Sequence, residues 1–152
     1  MKINSDFADL LRILSEHDAR FLIVGAYAVA QHAEPRYTKD LDLWVDPTDH
    51  NAENVHRSLM AFGAPTTDLS PMDLQTKGVV FQIGVEPVRI DVLTSIGDID
   101  FSAAFENALD VSFAGVPVKV LGLDDLITAK RSAGRPQDLL DLEKLEAARS
   151  RD

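Results

Sequence analysis

Hydrophobic and polar residues follow two different periods along the chain, and each period predicts one kind of secondary structure. Residues 5–18 carry apolar side chains at i, i+3, i+4 and i+7, which predicts an amphipathic helix. The short apolar run at 21–24 predicts a strand that is buried on both faces. Residues 40–45 alternate strictly, which predicts a strand with two different faces.

The rest of the chain is predicted to form hairpins and helices. The runs at 79–83 and 88–93 flank a Gly-Val-Glu-Pro turn and predict an antiparallel hairpin. Further helices are predicted at 26–33, 49–62, 102–108, 123–133 and 136–148, and a second hairpin at 111–113 and 116–121. This order predicts one α/β (α+β) domain over residues 1–152, with a mixed β-sheet, helices packed on it and two C-terminal helices.

The composition excludes several classes of site. The 152 residues include no cysteine, so disulfides, thiolate zinc sites and iron–sulfur clusters are excluded. The net charge is −10, and residues 37–110 hold 13 acids against 4 bases, a balance of −9. Such a field repels nucleic-acid phosphates unless metal ions intervene, so it indicates either plain solubility or a divalent-cation site. No apolar run reaches ~18 residues and the N-terminus lacks a signal-peptide core, so we expect a cytoplasmic protein without membrane contact.

Gly25 stands between a predicted buried strand and a predicted helix. A glycine there lets a ligand approach the backbone, and the free N–H groups of the following helix favour an anion such as a phosphate. The alternative is a tight strand-to-helix turn that needs glycine for its own conformation. The sequence alone leaves both interpretations open.

Three aspartates are candidates for a metal site. Asp40 and Asp42 lie two apart on one strand face, with Cα atoms ~6.6–6.8 Å apart, so their carboxylates can reach one hard cation or bridge two. Asp91 interrupts the apolar run at 88–93 and would join them if the two strands are neighbours. The alternatives are a solvated strand face for the pair and an ion pair with Arg89 for Asp91.

The glycine turn, the D-x-D strand and the later single aspartate together resemble the nucleotidyltransferase superfamily of the polymerase-β type. The string R-Y-T-K-D-L-D-L-W-V is similar to that of minimal bacterial members, some of which belong to toxin–antitoxin and abortive-infection systems. The endings L-D-D-L-I-T-A-K and G-R-P-Q-D-L-L-D-L are also similar, and the resemblance covers about residues 21–145. It implies transfer of a nucleoside monophosphate from an NTP to an acceptor hydroxyl, with release of pyrophosphate.

The resemblance also implies residue roles. Asp40, Asp42 and Asp91 would be the catalytic carboxylates and would hold Mg²⁺, as two ions that Mn²⁺ could replace. The implied nucleotide-binding residues are Gly25, Ala26, Arg36, Thr38 and Lys130. Ala26 departs from the family, which usually has serine or a second glycine at this position. Alanine has no hydroxyl, so its backbone N–H is the only donor that it can offer to a phosphate. The alternatives for Arg36 and Lys130 are solvated loop and helix charges.

Other polar residues are better explained by structure. His32, His50 and His56 lack metal-binding spacing, and Asp98 and Asp100 suit a helix N-terminus. Asp138 and Asp141 suit a helix dipole, although the likeness of these two residues to the family's last motif keeps an active-site role open for them. The acceptor is not readable from the sequence and could be RNA, protein or a small molecule. A catalytically degenerate, antitoxin-like or nucleotide-sensing regulatory protein with a toxin or antitoxin partner is the alternative to an enzyme.

Overall fold

The computed structural model describes residues 5–33, 40–85 and 88–150 and contains six helices and six strands in those residues. The helices are α1 (Ser5–Glu16), α2 (Gly25–His32), α3 (Asp49–Phe62), α4 (Phe101–Glu106), α5 (Leu123–Ala133) and α6 (Pro136–Ser150). The strands are β1 (Phe21–Val24), β2 (Asp40–Val45), β3 (Val80–Val85), β4 (Val88–Leu93), β5 (Leu109–Phe113) and β6 (Val116–Val120).

The strands form one mixed sheet in the order β3-β4-β2-β1-β6-β5. Both predicted hairpins, β3–β4 and β5–β6, are antiparallel, as is the β1–β2 pair. The pairs β2–β4 and β1–β6 are parallel, and α3 lies in the crossover from β2 to the β3–β4 hairpin. The predicted mixed sheet with helices packed on it is therefore confirmed.

The core lies on both faces of the central strands. All four residues of β1 are buried, as the apolar run predicted. Helix α1 contributes a buried stripe of Phe7, Leu10, Leu11 and Leu14 at the predicted spacing. On β2, Trp44 is 1% exposed and its ring meets Phe101 of α4 edge-on at 5.1 Å. This packing fixes β2, whose remaining polar residues then have a defined direction.

The last two helices form a hairpin across a short turn. Gly134 ends α5 with φ +64, the left-handed conformation that glycine adopts without strain, and Pro136 is the first residue of α6. Helix α5 packs against α6, and both contact α2, which starts beside the sheet. The hairpin therefore covers the region where β1 passes into α2. No helix within the described residues is long and apolar enough to cross a membrane.

Candidate active site

The three predicted aspartates come from two neighbouring parallel strands. In the β2–β4 register, Asp42 lies directly opposite Asp91, and Asp40 lies directly opposite Arg89. Residues two apart on a strand share a face, so all four side chains project from the same side of the sheet. The structure therefore brings Asp40, Asp42 and Asp91 together and adds Arg89, which the sequence indicated only as a partner of Asp91.

Arg89 makes ion pairs with two of the three carboxylates. Its Nη2 lies 3.1 Å from Asp40 Oδ2, and its Nε lies 3.3 Å from Asp91 Oδ1. The alternative interpretation of Asp91, pairing with Arg89, thus holds together with its position beside Asp42. Within residues 5–33, 40–85 and 88–150, no three His, Cys, Asp or Glu side chains form a ready-made metal-binding group.

Two carboxylates of the cluster have raised pKa values. Burial, followed by the negative charges of Asp91 and Asp40, raises the pKa of Asp42 from 3.8 to about 6, although Arg89 and Lys130 oppose the rise. Burial also raises the pKa of Asp91, which is 9% exposed, while Arg89 and a hydrogen bond with Asp42 act in the opposite direction. The site retains negative potential that a further cation would relieve.

Gly25 gives Asp42 its space. It is the first residue of α2 and has φ +68, a conformation that side chains other than glycine rarely adopt. A Cβ built on Gly25 would overlap the carboxylate of Asp42. The glycine is therefore required by the aspartate as well as by the turn. Its expected role in phosphate approach stays a prediction, and so does that of Ala26, the next residue of α2.

Lys130 faces the cluster from α5 and is held in place by two buried carboxylates. Its Nζ lies 3.2 Å from Asp138 Oδ1 and 3.1 Å from Asp141 Oδ2, and these aspartates are 1% and 0% exposed. The Lys130 side chain is only 12% exposed, so a solvated helix charge is the wrong description. The helix-dipole explanation of Asp138 and Asp141 is likewise incomplete, because both carboxylates are buried ion-pair partners.

Arg135 is a second cation that pairs with Asp138. Its Nε donates to Asp138 Oδ2 at 2.6 Å, while 76% of its side chain stays exposed. Burial would raise the pKa of Asp138, but hydrogen bonds from Arg135 and Lys130 and the charge of Lys130 outweigh it, so this pKa is lowered. Asp138 therefore stays ionised and holds two cations near the aspartate cluster.

One cavity of about 430 Å³ connects these groups. Its walls include residues from β1, β2, β4, α2, α5, the turn after α5 and α6, among them Gly25, Asp42, Asp91, Arg89, Lys130 and Arg135. Asp42, Asp91 and Arg89 lie on the sheet side, and Lys130 and Arg135 lie on the helix side, where Asp138 pairs with both of them. In a ligand that carries both a metal ion and phosphates, the metal ion would suit the carboxylates and the phosphates would suit the cations.

Of the other predicted residues, some lie outside the described part of the chain and others have structural roles. Arg36 and Thr38 lie outside the described residues. His32 and His56 bond backbone carbonyls of Leu121 and Leu69, at 2.8 Å each, which agrees with their structural interpretation. Asp100 caps α4 by accepting from Ala103 N at 3.0 Å, as its position before a helix predicted.

Arg89 and Arg135 were missed as members of the site, whereas Asp138 had been kept open as a member by its likeness to the family's last motif. A signal existed for Arg89, which precedes Asp91 by two positions on a predicted strand and so had to share its face. The spacing from Lys130 to Asp138 gave no such signal, because it spans a turn whose geometry the sequence does not define.

Comparisons with known proteins agree on the fold. The family model described as "Nucleotidyl transferase of unknown function (DUF2204)" matches residues 3–151. Among solved structures, a Thermotoga maritima protein described as a candidate nucleotidyltransferase has a TM-score of 0.60 at 14% identity, with 94% of both chains covered. The antibiotic-resistance factor ANT(2'')-Ia has a TM-score of 0.62 at 13% identity, covering 96% of this chain and 88% of its own.

A third similar structure is the lincosamide antibiotic adenylyltransferase LnuA with lincomycin bound. Its TM-score is 0.60 at 10% identity, with 96% of this chain and 98% of LnuA covered. No curated protein matches the chain. Structural likeness at such low identity shows a shared fold and no more.

Proposed function

We propose that this chain, which belongs to the nucleotidyl transferase family whose model spans residues 3–151, transfers a nucleoside monophosphate from an NTP to an acceptor hydroxyl. The membership confirms the family resemblance seen in the sequence. The observation that carries the proposed reaction is the meeting of Asp40, Asp42 and Asp91 on one face of the sheet, where Asp42 and Asp91 line a cavity together with Gly25. The acceptor oxygen would bond to the α-phosphorus, and the bond to the leaving pyrophosphate would break.

The three aspartates fit a divalent cation by their chemistry. They supply carboxylate oxygens, which Mg²⁺ prefers, and the pKa of Asp42 is raised first by burial and then by the negative charges of Asp91 and Asp40, which a cation would neutralise. Mg²⁺ takes few protein carboxylates and completes its shell with water and phosphates, so an incomplete protein cage suits it. We propose that Asp40, Asp42 and Asp91 hold two such ions, and that Mn²⁺ can replace them. When bound, the ions would neutralise charge on the triphosphate.

The chain's own residues would orient the substrates. Lys130 and Arg135 project from the helix side of the cavity and would hold phosphate oxygens opposite the carboxylates. Gly25 and Ala26 offer backbone N–H groups at the start of α2, and Arg36 and Thr38 are proposed as further nucleotide contacts. Asp91 would accept the proton of the acceptor hydroxyl, a role suited to a carboxylate whose pKa is raised by burial.

Two structural neighbours suggest which substrates to test first. LnuA is an adenylyltransferase that was solved with lincomycin, and ANT(2'')-Ia was solved with adenylyl-2"-tobramycin. We therefore propose ATP as the first nucleotide and a small hydroxylated molecule as the first acceptor class. The balance of −9 over residues 37–110 disfavours an extended RNA acceptor.

Two observations favour a second function, nucleotide binding without transfer. Ala26 lacks the hydroxyl that the family usually presents to a phosphate, and Arg89 already neutralises part of the carboxylate charge. In that case the chain would act as a nucleotide sensor or as the regulatory partner of a toxin or antitoxin.

A transfer assay separates the two functions. The protein would be incubated with Mg²⁺, α-labelled ATP and pools of small molecules, protein and RNA, and labelled products would be quantified. We expect label transfer by the wild type and by the surface control Asp98→Asn, and none by Asp42→Asn. Nucleotide binding without label in any pool would favour the sensor, and label transfer by Asp42→Asn would refute the proposed site.

A further inference from the structure

Arg89 is a cation that already lies between two carboxylates of the cluster. Its guanidinium bridges Asp40 on β2 and Asp91 on its own strand, with nitrogen-to-oxygen distances of 3.1 and 3.3 Å. The β2–β4 register sets these residues in a square, with Asp40 opposite Arg89 and Asp42 opposite Asp91. The square therefore contains three negative charges and one internal positive charge.

The contacts of Arg89 conflict with metal binding. Asp40 Oδ2, which accepts a hydrogen bond from the guanidinium, has fewer lone pairs for a metal ion, and the positive charge that pairs with both Asp40 and Asp91 repels a divalent cation. Asp40 and Asp91 are the ion-pair partners of Arg89, whereas Asp42 shares a hydrogen bond with Asp91. In the metal-free protein, Arg89 therefore holds two of the three carboxylates that are proposed to bind an ion.

Arg89 borders an open cavity into which its side chain can move. Its side chain is 31% exposed and lines the 430 Å³ cavity, across which Lys130 and Arg135 are anchored by Asp138. Arg89 differs from those two cations, because its own partners are the proposed metal ligands. A planar guanidinium that leaves the two carboxylates can form paired hydrogen bonds with phosphate oxygens.

We propose that Arg89 is an exchangeable counter-ion, which holds Asp40 and Asp91 in the metal-free protein and moves to the triphosphate when metal and nucleotide enter together. This inference rests on the proposed function. The exchange makes metal and nucleotide binding mutually dependent: metal alone must displace Arg89 without a new partner for it, whereas metal with nucleotide supplies one. By linkage, nucleotide strengthens metal binding by the same factor as metal strengthens nucleotide binding.

Mn²⁺ binding to the full chain tests the exchange without any measurement of activity. Free Mn²⁺ would be titrated by electron paramagnetic resonance against the wild type, Arg89→Gln, Arg89→Lys and Asp42→Asn, first alone and then with an ATP analogue that cannot be cleaved between its α- and β-phosphates. Arg57→Gln is the matched control, because it removes one arginine charge from an exposed pair with Glu53 on α3.

Without nucleotide, we expect Arg89→Gln to bind Mn²⁺ at least tenfold more tightly than the wild type and the Arg57→Gln control. With the analogue, the wild-type affinity should rise at least tenfold, and that of Arg89→Gln should rise clearly less. Arg89→Lys keeps the charge but not the planar fork, so its Mn²⁺ affinity without nucleotide should stay near that of the wild type. This variant also keeps the test available if Arg89→Gln does not fold, because retained coupling in Arg89→Lys equal to the wild type would contradict the paired contact with phosphate.

Equal Mn²⁺ affinity of Arg89→Gln and the wild type without nucleotide would overturn the exchange, and so would equal coupling in both. Failure of the proposed function looks different. In that case Asp42→Asn would bind Mn²⁺ and the analogue as well as the wild type does, or the wild type would bind neither, and the Arg89 proposal would fall with it.

Discussion

Replacing Asp42 with asparagine should stabilise the metal-free protein at neutral pH. Because the pKa of Asp42 rises from 3.8 to about 6 on folding, the folded state binds this proton more tightly than the unfolded state does. The resulting contribution to stability is present below pH 3.8, declines between pH 3.8 and 6, and is fully lost above pH 6. At 1.36 kcal/mol per pKa unit the loss amounts to about 3 kcal/mol.

The measurable gain is smaller, because Arg89 and Asp91 rearrange around a neutral side chain. We expect Asp42→Asn to gain about 1–2 kcal/mol above pH 6, which raises the melting temperature of a domain of this size by about 2–8 °C. At about pH 3 the wild type and the variant should melt together, because Asp42 is then mostly protonated in both the folded and the unfolded wild type.

Thermal melts in EDTA at about pH 3 and pH 7.5 test this expectation. The matched control is Asp98→Asn, which also removes one carboxylate from a D-x-D pair, but whose side chain is fully exposed. The control should differ from the wild type by no more than about 0.5 kcal/mol at either pH. If Asp42→Asn were destabilised at pH 7.5, or shifted equally at both pH values, the proposed charge repulsion in the cluster would be refuted.

Three further predictions concern the walls of the cavity. Gly25→Ala should lower the free energy of unfolding by about 1–2 kcal/mol, because alanine is strained at φ +68 and its Cβ overlaps the Asp42 carboxylate. The same substitution should weaken nucleotide binding, and calorimetry that showed unchanged binding would contradict this. Lys130→Met should lower the free energy of unfolding by about 3–5 kcal/mol, since Asp138 and Asp141 remain buried, whereas Arg131→Met on the same helix should have little effect in the same urea titrations. Removal of divalent ions with EDTA should abolish label transfer, and added Mg²⁺ or Mn²⁺ should restore it; transfer that persists in EDTA would exclude metal dependence.

The strands of the site were predictable because their signals are local. The strands β1, β2 and β4 begin and end at the predicted residues, since a continuous apolar run and a strict alternation depend only on neighbouring positions. Helix α4 shows the limit of such signals: it begins at Phe101 and ends at Glu106, whereas the sequence predicted residues 102–108. The cap at Asp100 sets the observed start.

The assembly of the site was only partly predictable, because it depends on contacts between distant residues. The sequence identified Asp91 as a candidate only on the condition that its strand lies beside β2, and the parallel register meets that condition. The burial of Lys130 between Asp138 and Asp141 depends on how α5 and α6 pack across Gly134. No periodic pattern encodes that packing, so the sequence left a phosphate contact and a solvated charge equally open for Lys130 and explained Asp138 and Asp141 by the helix dipole.

The central claim is that Asp40, Asp42 and Asp91 form a binding site for metal and nucleotide. Titration calorimetry tests it most directly, with the uncleavable ATP analogue added to the wild type, Asp42→Asn and the surface control Asp98→Asn, each in Mg²⁺ and in EDTA. We predict binding by the wild type and Asp98→Asn in Mg²⁺, at least tenfold weaker binding of both in EDTA, and no response of Asp42→Asn to Mg²⁺. Equal, Mg²⁺-dependent binding by Asp42→Asn and the wild type would contradict the claim.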